Sequence, residues 1–78
     1  MTPIHPIPAG AVVIYTYRSL DGCTYRVKVE GGASWNEEEY PPGGLLRVIY
    51  NAAGQVIAGP HLDELVTWQI VPVATAGA

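Results

Sequence analysis

The sequence predicts a mainly β fold: a five-stranded antiparallel meander, curled toward a small barrel, with one short helix between strands two and three. Three observations carry that expectation. Leu45 to Tyr50 and Gln55 to Ala58 are β-rich runs on either side of Asn51-Ala52-Ala53-Gly54. Asn at the first position of a type I turn and a left-handed Gly at the fourth make a hairpin connection. Ala11 to Arg18 and Cys23 to Glu30 repeat the arrangement around Ser19-Leu20-Asp21-Gly22. Finally, a length of 78 residues holds one domain. An open sheet packed on the helix is the second architecture the pattern allows.

The elements follow in order. Residues 1–9 read as an extended, Pro-rich arm, because Pro3, Pro6 and Pro8 fix their own φ and restrict the residues before them. A single small β domain spans residues 10–73. Strands over 11–18 and 23–30 form the first hairpin, and Gly31-Gly32 ends it. Ser34-Trp35-Asn36-Glu37 fits a capping box and starts the helix. Pro41-Pro42 stops that helix after about two turns, with Gly43-Gly44 as a flexible joint. The second hairpin occupies 45–58, and Gly59-Pro60 terminates it. His61 to Leu65 makes a single helical turn, and Val66 to Val73 is the last strand. Pro72 lacks an N–H, which puts it at an edge or a strand end. Ala74 to Ala78 is a frayed tail.

Register decides which side chains share a face. A two- or four-residue loop in the first hairpin pairs even positions of one strand with odd positions of the other. Val12, Ile14, Thr16, Cys23, Tyr25, Val27 and Val29 then form the core face. Val13, Tyr15, Tyr17, Thr24, Arg26, Lys28 and Glu30 form the other. A three-residue loop or a bulge would instead turn the tyrosines into the core face. The first register is adopted here.

Composition excludes several classes. A core of this size supplies only about 3–5 kcal/mol of net stability. Cys23 is the single cysteine, so no disulfide forms within the chain. The 49% apolar content makes association with another chain the expected source of extra burial, a homo-oligomer included. No run of 18 apolar residues is present for a membrane span. The N-terminus has no basic region before an apolar core, so no signal peptide is expected, and the lone thiol suggests a cytoplasmic setting. Arg18, Arg26, Lys28 and Arg47 face seven acids, for a net charge of −3. That balance argues against direct nucleic-acid binding, which draws on phosphate contacts.

Tyr15, Tyr17, Arg26 and Lys28 form the first candidate surface, since tyrosine and arginine are enriched at protein interfaces. Glu37-Glu38-Glu39 is the second: three carboxylates could face a basic partner, although the first turns of a capped helix also favour acids. His5 and His61 with Asp63 or Glu64 lack recognised zinc spacing, so no metal is expected. Cys23 reads as a small half-buried strand residue with no histidine near it in sequence. Gly31-Gly32 and Gly43-Gly44 lack the lysine and helix of a phosphate loop, and no cofactor is implied. Trp35 and Trp68 are read as core anchors that close the helix and the last strand onto the sheet.

Gln69-Ile70-Val71-Pro72-Val73-Ala74 resembles the terminal Gln-Ile-Tyr-Pro-Val-Ala stretch of the plasmid-borne type II dihydrofolate reductases. Arg26-Val27-Lys28 and Gly32-Ala33-Ser34-Trp35 resemble that family's basic strand and Gly-Ala-Ala-Trp loop. The resemblance implies a small β-barrel enzyme in which four chains build one active pore. Three departures stand against it: Val71 replaces the motif tyrosine, Asn36-Glu37 follows Trp35 in place of Gln-Gly, and an extra N-terminal hairpin strand is present.

The residues themselves show no catalytic constellation. They therefore support a small non-enzymatic protein-binding module, of the accessory or inhibitor type found in phages and mobile elements, acting on a host protein. The competing class is an oligomeric small β-barrel enzyme or ligand-binding protein whose site forms between subunits.

Overall fold

A computed structural model describes residues 3–40 and 43–72. They form seven strands and one 3₁₀ turn: β1 (His5–Pro6), β2 (Val12–Arg18), β3 (Thr24–Val29), β4 (Gly32–Tyr40), β5 (Gly44–Asn51), β6 (Val56–Ala58), the turn Leu62–Glu64, and β7 (Leu65–Val71). One antiparallel sheet has the order β1-β4-β5-β6, the other β3-β2-β7. The chain crosses between sheets at Glu30-Gly31, and β7 returns to pair with β2. The two sheets are open, so the fold is mainly β without being a closed barrel. No α-helix occurs among the described residues.

Both predicted turns form. Gly22 N donates to the Ser19 carbonyl and Gly54 N to the Asn51 carbonyl, each at 3.0 Å. Gly22 and Gly54 sit at φ of 86° and 80°, where a Cβ would be penalised. Asp21 Oδ1 accepts from Cys23 N at 2.9 Å, and Asn51 Oδ1 accepts from Ala53 N and Gln55 N. These side chains fasten the turns from within.

The register of the first hairpin corrects the expectation. Ser19 N donates to the Cys23 carbonyl, so three residues form the loop, with the left-handed glycine last. Odd positions then oppose odd: Val13 faces Val29, Tyr15 faces Val27, and Tyr17 faces Tyr25. Tyr15 and Tyr17 turn into the core face, while Val12, Ile14 and Thr16 share the outer face with Arg26 and Lys28. Cys23 lies in an exposed position at the end of the turn rather than half-buried in a strand.

The helix is also replaced. Ser34 to Glu39 belongs to a nine-residue strand that pairs with β5 from Gly32 to Tyr40. Within it Trp35 opposes Ile49, and Glu37 opposes Arg47. A helix of two turns is marginal alone, and the long ladder to β5 outweighs a local capping pattern. Gly43 N donates to the Tyr40 carbonyl at 2.8 Å, so the segment after Tyr40 closes a hairpin instead of ending a helix. Pro41 and Pro42 lie outside the described residues.

The core is small and lies between the sheets. Ile7, Ala11, Val13, Tyr15, Val29 and Ile49 are its buried members, with Trp35, Trp68, Leu65 and Ile70 packed partly against them. The N-terminal arm contributes directly: His5 and Pro6 pair with Trp35 and Ser34, and Ile7 N donates to the Ala33 carbonyl. The single turn after Pro60 and the last strand form as expected, with β7 ending at Val71. The tail from Ala74 lies outside the described residues.

Candidate functional site

Six rings form one connected series. His5 stacks on Trp35 at 4.2 Å, and Trp35 meets Trp68 edge-on at 5.4 Å. Trp68 stacks on Tyr15 at 6.1 Å, Tyr15 neighbours Tyr17 at 6.4 Å, and Tyr17 neighbours Tyr25 at 5.6 Å. The Trp35–Trp68 contact joins the two sheets, which confirms both as core anchors. Without the predicted helix, what they close is sheet upon sheet.

Arg47 occupies the centre of this series. Its guanidinium carbon lies 4.8 Å from the Trp35 ring centre and 4.7 Å from that of Trp68. Its Nη2 donates to Glu37 Oε2 at 2.7 Å, while Nε is buried with no acceptor among the described residues. A cation placed between two indole faces in a half-buried site is held by the ring quadrupoles as well as by the carboxylate. Nothing local in the sequence marks Arg47; its role follows from β5 pairing beside β4 in one sheet while Trp68 reaches it from β7 of the other.

At the tyrosine end the inner faces diverge into a groove of about 290 Å³. Tyr15, Tyr17 and Val27 line one side, and Gly59, Pro60, His61 and Glu64 the other. His61 is fixed from behind, with Nδ1 2.6 Å from the Tyr40 hydroxyl and the two rings edge to face. Arg47 N donates to the Pro60 carbonyl at 2.9 Å, pinning that wall to β5. Burial, with the neighbouring Tyr17 adding to it, raises the Tyr15 phenol above its ordinary pKa. The Tyr15 phenol is therefore a neutral hydrogen-bonding group at physiological pH. The groove pairs aromatic area with one carboxylate, Glu64, and one imidazole.

The residues singled out by sequence divide between different surfaces. Tyr15 and Tyr17 reach the groove. Arg26 and Lys28 lie on the opposite face of the same sheet, beside Arg18, so the proposed tyrosine–basic surface does not exist as one patch. Lys28 pairs with Glu30 at 3.2 Å in full view of solvent. Of the three glutamates, Glu37 points to Arg47, whereas Glu38 accepts from Asn36 Nδ2 and the Tyr50 hydroxyl, both at 3.0 Å. Alternation along a strand, in place of a helix, is what splits them. Burial and the Glu38 contact raise the Tyr50 phenol. His5 stacks on Trp35 while His61 bonds Tyr40, and no group of three or more His, Cys, Asp and Glu converges among the described residues.

No family model, curated protein or solved structure matches this chain. The stretches resembling the type II reductases fall on β3, on the start of β4 and on the end of β7, with Val73 and Ala74 outside the described residues.

Proposed function

We propose that this chain is a non-enzymatic protein-binding module whose site is the tyrosine groove, and that it takes an extended, proline-containing segment of its partner. The observation that carries the reading is the pairing of two adjacent tyrosines with Pro60 across an open groove that also holds Glu64. Rigid aromatic walls suit a preformed polyproline II segment, which loses little entropy on docking. Glu64 favours a basic residue beside the prolines. The partner surface moves accordingly, from the tyrosine–basic face to Tyr15, Tyr17, Pro60, His61 and Glu64. Arg26 and Lys28 leave the site, as do Glu37 and Glu38, which are engaged within the fold. Glu39 takes no part in it.

A partner protein rather than nucleic acid is supported by the acidic balance. A cytoplasmic setting is supported by the exposed, unpaired Cys23, and no helix among the described residues is long and apolar enough to cross a membrane. An inhibitor role of mobile-element type rests on small size and acidity alone.

Titration of isotope-labelled protein with an arginine-flanked Pro-x-x-Pro peptide tests the proposal. Amide shifts are expected to concentrate at Tyr17, Val27, His61 and Glu64, and Glu64→Gln should weaken the arginine peptide more than a neutral one. Shifts absent throughout, or centred on the outer face around Arg26, would overturn it.

A further inference from the structure

Open sheets must protect their edges, because a row of unpaired N–H and C=O groups templates pairing with another chain. Four of the five free edges here carry such protection. β1 is two residues long and contains Pro6. β6 is three residues long and runs into Gly59-Pro60. β3 displays Arg26 and Lys28. The stretch of β4 beyond its pairing with β1 carries Glu37, Glu38 and Glu39.

β7 differs. Leu65-Val66-Thr67-Trp68-Gln69-Ile70-Val71 contains no charge, no proline and no glycine, and among the described residues it pairs on one side only, with β2. Its first residues are bulged: Thr16 opposes Thr67 while Tyr17 opposes Leu65, leaving Val66 as the extra residue. Pro72 bounds the other end. A regular, uncharged stretch from Thr67 to Val71 remains between those stops.

We infer that two copies of this chain associate by antiparallel pairing of Thr67–Val71, joining their three-stranded sheets into one of six. The sequence of that stretch is self-complementary about Gln69. With the two-fold axis there, Gln69 meets its own counterpart, Trp68 meets Ile70 of the second copy, and Thr67 meets Val71. Aromatic against β-branched and β-branched against β-branched are favourable cross-strand pairs, and no like charges oppose. Trp68 and Ile70 are both only partly buried against the core, so the same pairing covers what the monomer leaves open. A two-fold contact of this kind is isologous and closes at two chains. Pairing β7 with the charged β3 edge would instead propagate.

Sedimentation equilibrium over a dilution series, with Gln69→Cys in a Cys23→Ser background, tests the inference. Opposed Cα atoms in an antiparallel pair lie about 4.5–5.5 Å apart, within the range a disulfide spans. The expected results are a mass of twice the chain for the wild type and a covalent dimer for the cysteine variant on mild oxidation. Gln69→Lys places like charges face to face and should give the monomer mass with an unchanged circular dichroism spectrum. A wild type that stays monomeric overturns the inference. So does a dimer that survives Gln69→Lys while Gln69→Cys fails to cross-link, because its interface then lies elsewhere. A ladder of larger species would also refute closure at two.

Discussion

Replacing Arg47 separates the contribution of a charge from that of a volume. The guanidinium lies within 4.8 Å of two indole centres, and its side chain is only 19% exposed. Each cation–π contact contributes about 1 kcal/mol in a half-buried setting. The methylene stem, held against the rings, adds about 1 kcal/mol of apolar burial. The Glu37 ion pair is partly solvated and adds at most about 0.5–1 kcal/mol. Against these stands the buried Nε without an acceptor, which costs about 1 kcal/mol or more. Arg47→Ala should therefore destabilise by about 2–3 kcal/mol. Arg47→Met keeps the stem and removes the orphaned N–H, so its cost should be about 1–2 kcal/mol. For a domain of this size each kcal/mol moves Tm by about 4–8 °C. Urea and thermal denaturation, followed by tryptophan fluorescence, give both values. A methionine variant as stable as the wild type, or more so, would refute the reasoning: the cation would then be a net liability, as partly buried ion pairs can be.

Gly54→Val should lower stability by about 1 kcal/mol or more through the left-handed penalty alone, since a Cβ there would meet nothing within 4 Å; a Tm equal to wild type would refute the turn's role. Tyr15→Ala should cost about 3 kcal/mol or more, as for other large core truncations, because Tyr15 is 6% exposed. Tyr17→Ala, at the groove, should fold with a smaller loss, and wild-type Tm values for both variants would place both rings outside the core. The Asp21 carboxyl is held below its ordinary pKa of 3.8, first by the Cys23 amide and then by the Tyr25 hydroxyl. It therefore contributes stability above pH 3.8 that is lost as pH falls through its lowered pKa. Asp21→Asn should flatten that acid limb in Tm measured against pH, and an unaltered limb would refute the linkage.

The turns were legible because their chemistry is local: a side-chain acceptor and a left-handed glycine suffice to place Ser19–Gly22 and Asn51–Gly54. The register was legible in principle from the same residues. A glycine closing a type I turn is itself the third loop residue, so the two hairpins share one loop length and odd positions oppose odd. Ser34-x-x-Glu37 misled because a capping pattern describes one helical end, while nine residues of pairing with β5 describe a strand. Here Trp35, Glu37 and Glu39 alternate with Ser34, Asn36 and Glu38, and that period-2 reading was the missed signal. Tyr15 and Tyr17 were expected on the outer face and lie on the core face instead. Pro60, His61 and Glu64 join them only through the path between β6 and β7, which no local pattern reports.

The three hairpins between β2 and β6 have consequences for how the chain acquires its fold. Each closes over a loop of a few residues, so β2-β3 and β4-β5-β6 can each assemble from neighbouring contacts at small entropic cost. The β7–β2 ladder is different: the Thr16–Thr67 hydroxyl contact spans 51 residues. Closing that distance should govern the folding rate, as non-local pairing does in other β domains. Until it closes, Trp35, Arg47 and Tyr15 lack the ring of Trp68 and the inner faces stay open to water. Trp68 is thus the last ring to join the aromatic series, and its fluorescence should report the moment at which two independent sheets become one domain.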